Sequence, residues 1–83
     1  MTAFNKANNT LNTQPLEYYL NLTYPITLYP DAEGGYVAEI KDLPGCLTQG
    51  ETLEETMNNI NEARELWLET AYESNDEIPM PQL

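Results

Sequence analysis

The 83-residue chain contains no histidine, one cysteine (Cys46) and three basic residues, Lys6, Lys41 and Arg64. Each shortage excludes a class of chemistry. Without His the chain lacks the side chain that titrates unperturbed near neutral pH, and with it the usual general acid–base and imidazole metal sites. A lone Cys forms neither an internal disulfide nor a cysteine-rich zinc site, and suits a reducing, cytoplasmic setting. Three cations scattered along the sequence cannot supply the positive patch that binds nucleic acid or an anionic membrane surface. No apolar run approaches the ~20 residues of a membrane span. The first 15 residues lack the apolar stretch of a secretory signal, so Asn8-Asn9-Thr10 and Asn21-Leu22-Thr23 are read as chance glycosylation sequons.

What is present is acid: 14 Asp and Glu give a formal net charge of −11. A chain so charged is suited to a basic protein partner. Residues 1–15 read as a disordered polar tail, rich in Asn and Thr and closed by Pro15. Residues 16–83 make one small domain, of a size that often leans on a partner or an oligomer.

Within that domain Leu20, Leu22, Tyr24, Ile26 and Leu28 alternate with polar residues, the period of a strand, although Pro25 moves its start towards Tyr24. Gly34-Gly35 turns the chain into a second strand over 36–41, completing an antiparallel hairpin. Residues 46–50 form a short third strand. Thr52-Leu53-Glu54-Glu55 is a capping box, with the Glu55 carboxylate expected to reach back to Thr52. The helix it opens runs to about Glu73, with Leu53, Met57, Ile60, Trp67, Leu68 and Ala71 on one face. Residues 77–81, carrying Pro79 and Pro81, are expected as a short edge strand. The fold class is therefore α+β: a three-stranded antiparallel sheet, one long helix on one face and a short C-terminal edge strand, in the order β-β-β-α-β.

Over 18–81 the chain resembles the HicB family of antitoxins. The resemblance rests on Tyr24-Pro25-Ile26, Gly35-Tyr36-Val37-Ala38, Asp42-Leu43-Pro44-Gly45-Cys46, Thr48-Gln49-Gly50-Glu51-Thr52-Leu53-Glu54-Glu55, Glu65-Leu66-Trp67 and Ile78-Pro79-Met80-Pro81, in that order. Singly each is weak; the ordered set is specific. The resemblance implies a partial ribonuclease-H-like fold without nuclease activity. It also implies a partner: a small basic toxin, HicA, which cleaves RNA and is held inactive in the complex. Many members add a C-terminal DNA-binding module. This sequence stops at Leu83 soon after the Ile-Pro-Met-Pro segment, so direct nucleic-acid binding is not expected of it. Lys41 stands where the family often has Pro, which affects the local turn.

Several residues invite sharper readings. Glu33, Glu39, Asp42 and Glu51 would be the carboxylates of a relic metal site; solvated surface charge is the favoured account. Cys46 lacks an activating His and reads as a small residue under the sheet. Trp67, on the apolar face, reads as core before interface anchor. Arg64 falls within that face, and either snorkels to its edge or pairs with a carboxylate across an oligomer interface. Leu66 lies on the polar side, where it could join Tyr72 and the C-terminal prolines in a contact patch.

One helix covers one face of a sheet. The other is expected to carry some of Thr27, Tyr29, Tyr36, Val37 and Glu39, a mix of aromatics and acid suited to a protein interface. The candidate partner or oligomer interface is therefore Tyr29, Tyr36, Val37, Glu39, Arg64 and Leu66. No catalytic residue, metal or cofactor is expected. The expected role is neutralisation of a HicA-like basic toxin by a cytoplasmic homo-oligomer, a dimer or tetramer. The alternatives are an orphan oligomeric module without a toxin and a minimal metal-dependent nuclease.

Overall fold

The computed structural model describes residues 12–82. Its elements are helix α1 (Leu16–Leu20), strands β1 (Thr27–Pro30), β2 (Tyr36–Glu39) and β3 (Leu47–Gly50), and helix α2 (Leu53–Glu73). The strands form one antiparallel sheet in the order β1-β2-β3. The expected hairpin is present. Asp31 Oδ1 accepts from the Glu33 amide at 2.9 Å and the Asp31 amide donates to Gly35 O at 3.0 Å. Gly35 sits at φ +83°, and a Cβ there would lie 2.5 Å from Gly50 O, so both the turn and the neighbouring strand require glycine.

Register sorts the side chains. Tyr29 pairs with Val37 and Thr27 with Glu39; Val37 pairs in turn with Gln49 and Glu39 with Leu47. These six share the face away from α2. Leu28, Tyr36, Ala38, Thr48 and Gly50 share the other, where α2 packs over β2 and β3. Ala38, Ile40, Leu43, Ile60 and Leu68 form the fully enclosed centre, with Tyr19, Tyr24, Cys46, Ala71 and Ile78 around it.

The helix starts and ends as its sequence predicts. Thr52 Oγ1 accepts from the Glu55 amide at 3.0 Å, and Ser74 caps the far end. The Glu55 carboxylate, however, takes the amide of Glu51 at 2.7 Å rather than that of Thr52. The buried stripe is also rotated at the first turns: Thr56 is buried, whereas Leu53 and Met57 are exposed. The cause is the approach of β3, since a Cβ on Gly50 would stand 2.6 Å from Thr56 Oγ1 and 2.7 Å from the Thr56 amide nitrogen. A long side chain has no room at that contact.

Three expectations are corrected. The alternation from Leu20 is not a strand before Thr27: 16–20 is helical and 21–26 is irregular. Leu20, Leu22 and Tyr24 do face the core, but Ile40 O accepts from the Leu43 amide at 3.1 Å, so beyond Ile40 the second strand bends into a turn, and Pro25 has no amide to offer a ladder. A strand extended backwards from Thr27 would have no ladder partner. Second, 77–82 is no edge strand. Pro79 and Pro81 offer no amide to a ladder, and the segment is held by the burial of Ile78, by Tyr24 Oη donating to Pro79 O at 2.7 Å and by the Gln82 amide donating to Asp42 Oδ2 at 3.1 Å. Third, part of the expected tail is packed. Asn12 is buried and its Nδ2 donates to Asp76 O at 2.7 Å, while Tyr72 Oη donates to Gln14 O at 2.8 Å. Residues 1–11 of that tail lie outside the described residues.

Two substitutions probe these contacts. Thr52→Ala removes the cap and should cost about 1 kcal/mol of unfolding free energy. Gly35→Ala adds a left-handed-region penalty of about 1–2 kcal/mol to a backbone collision and should cost more than Thr52→Ala. Urea unfolding midpoints of the two variants against the parent measure both.

Candidate functional site

The open sheet face carries Thr27, Tyr29, Val37, Glu39, Leu47 and Gln49. Tyr29 and Leu47 are exposed, and Tyr29 Oη donates to Glu39 Oε1 at 2.9 Å, so these two polar groups already satisfy one another across the hairpin. Tyr36 belongs elsewhere. Side chains alternate along a strand, and Tyr36, beside Val37, points to the helix side. Of the six residues expected to form an interface, the structure gathers Tyr29, Val37 and Glu39 on one face and separates the other three.

Arg64 is engaged within the chain. Its Nη1 donates to Leu20 O at 2.7 Å, and Nε and Nη2 donate to Asn61 Oδ1 at 3.2 and 3.0 Å. The guanidinium thereby fixes the end of α1 against α2. Its contact with Glu65, at 3.9 Å, adds a weak surface ion pair.

Leu66 is 65 % exposed and borders a groove of about 690 Å³ between the 44–47 loop, the second half of α2 and the C-terminal segment. The floor is apolar: Cys46, Ala63, Trp67 and Ala71 line it, with Pro44 and Pro79 on the walls. Trp67 is half-buried, and its indole N–H donates to Pro44 O at 2.8 Å, tying the loop to the helix. Sequence reasoning did not assemble this groove. The signal was present in Ala63, Trp67 and Thr70, which share a helix stripe beside the core. The opposing wall comes from residues distant in sequence.

Cys46 is buried at the groove floor, and burial pushes its thiol pKa up, away from the thiolate that nucleophilic chemistry needs. Glu33 and Glu51 border a second cleft, of about 520 Å³, whereas Glu39 lies on the open sheet face and Asp42 holds the Gln82 amide. Among the described residues no group of three or more His, Cys, Asp or Glu is placed to hold a metal ion. No helix among them is long and apolar enough to cross a membrane.

The fold is thus a capped helix on a three-stranded antiparallel sheet, with one open sheet face and an apolar groove at Trp67. The chain belongs to the HicB-like antitoxin family of bacterial toxin–antitoxin systems, whose model matches residues 24–83. It is 57 % identical over 58 residues to a UPF0150 protein of Synechocystis sp., covering 70 % of this chain and 80 % of that one. It is 43 % identical over 61 residues to antitoxin HicB 1 of Photorhabdus laumondii (74 % of this chain) and 42 % over 60 residues to antitoxin HicB of Escherichia coli K12 (72 % of this chain). The match spans 39 % and 44 % of those two antitoxins, less than half of each.

Tyr24 makes the C-terminal attachment testable. Burial, aided by the negative charge of Asp42, pushes its phenol pKa up to about 12 from 10.0. The folded state therefore holds the proton more tightly than the unfolded one. The stabilisation is complete below the unfolded value and is lost as pH rises from about 10 through about 12. Tyr24→Phe should be less stable at neutral pH, through loss of the bond to Pro79, yet show a shallower alkaline decline than the parent. Thermal melts across that pH range measure the slope.

Proposed function

We propose that this chain acts as an antitoxin by binding a small, basic HicA-like ribonuclease and occluding the surface on which that toxin takes RNA. The observation that carries the reading is the family match over 24–83, which includes nearly the whole folded domain. The charge of −11 supports it physically. An acidic surface speeds encounter with a basic ribonuclease and competes with RNA phosphates for the same cations. The reading requires binding only; no catalytic group, metal or cofactor enters it. It places the chain in the cytoplasm, self-associated, without direct contact to nucleic acid.

A second reading, an oligomeric module without a toxin partner, has one observation in its favour. The chain covers 80 % of its UPF0150 relative but less than half of the two named antitoxins. Co-expression separates the readings: the chain should restore growth to cells expressing a HicA-like toxin, and an orphan module would leave them arrested. The electrostatic component has its own measurement. The association rate should fall steeply as added salt shortens the screening length from about 10 Å at 0.1 M to about 3 Å at 1 M. A rate constant flat over that range would remove steering from the mechanism.

A further inference from the structure

The open sheet face and the Trp67 groove are rival seats for a partner, and their chemistry differs. The sheet face is polar at Thr27, Glu39 and Gln49, and its exposed phenol is already bonded to Glu39. The groove has an apolar floor, and its rims are acidic. Along α2, Glu62, Leu66, Glu69 and Glu73 recur at helical spacing, and all four are exposed. Asp76 and Glu77, also exposed, stand on the groove's other side. Two carboxylates, Asp76 and Glu77, thus line the apolar trough, and three more flank Leu66 on the helix ridge beside it.

That pattern selects among occupants. A second copy would bring its own charge of −11 and its own acidic rims, so like charges would face each other across the contact. A small molecule would need converging polar groups to orient it, and the indole N–H on the floor is already given to Pro44 O. A protein segment with apolar side chains on one side and Lys or Arg on its flanks satisfies both floor and rims.

We propose that the Trp67 groove is where the toxin docks, receiving a basic amphipathic segment. Its apolar residues pack on Ala63, Trp67 and Ala71, and its cations meet Glu62, Glu69, Glu73, Asp76 and Glu77. This rests on the antitoxin reading above. Leu66 closes the trough on the helix side, which gives an otherwise solvent-facing leucine a contact to make.

The test titrates the chain with a HicA-like toxin, purified in a catalytically disabled form, by calorimetry and stopped flow. Leu66→Glu and Thr70→Lys alter two exposed groove positions and should leave the circular dichroism spectrum intact while weakening binding about thirtyfold or more, the range of an interface hot spot. Glu69→Lys with Glu73→Lys should slow association at low salt and lose that deficit at high salt. Val37→Glu, on the open sheet face, should change affinity by less than about twofold. If the parent binds and both groove variants bind within about twofold of it, the assignment is overturned while the antitoxin reading stands; a loss confined to Val37→Glu would move the seat to the sheet. If the parent does not bind at all, the antitoxin reading falls, and the assignment with it.

Discussion

The approach of α2 to the end of β3 is the constraint on which the rest of the domain depends. Gly50 and Thr56 come so close that a single added carbon would overlap both side chain and backbone of the helix. That contact pins the first turns of α2 to the sheet, and Asn59 reinforces it by donating from Nδ2 to Gln49 O at 2.9 Å. With its start fixed, the helix lies over β2 and β3 and leaves β1 uncovered, so Leu28 is exposed although it points to the helix side. At the other end the same helix leaves the trough in which Trp67 sits. Tight packing at one end and an open groove at the other are two results of one placement.

Elements with local causes were legible in the sequence. The hairpin follows from Gly34-Gly35 between two apolar stretches, and the helix boundaries from the Thr52 cap and the polar stop after Glu73. Both depend on residues a few positions apart. What the sequence did not disclose depended on distant partners. The alternation through Leu20, Leu22 and Tyr24 correctly marks residues that face inward, yet strand structure also needs a neighbour, and the turn that begins at Ile40 takes that neighbour away. The rotation of the buried stripe to Thr56 depended on a glycine in another element.

The interface reading divides in the same way. Tyr29 and Glu39 were legible as same-face neighbours because cross-strand register follows from the turn. Tyr36, the strand neighbour of Val37, alternates to the helix side of the sheet. Arg64 had two open explanations, and its bond to the Leu20 carbonyl matches neither in full: the guanidinium is retained by backbone from a short helix far away in sequence. The groove combines the helix with a loop and a terminal segment, so only assembled structure could reveal it.

The attachment of Asn12 to Asp76 has a further consequence. It joins groups 64 positions apart, and the Gln14 carbonyl is tied to Tyr72 beside it. The extended segment after α2 is in turn held by Tyr24 and Asp42. The N-terminal residues are therefore anchored on the end of α2 and the turn after it, from which the C-terminal segment departs. The wall of the groove formed by Glu77 and Pro79 is in turn only as persistent as the burial of Ile78 and the two hydrogen bonds that hold that segment.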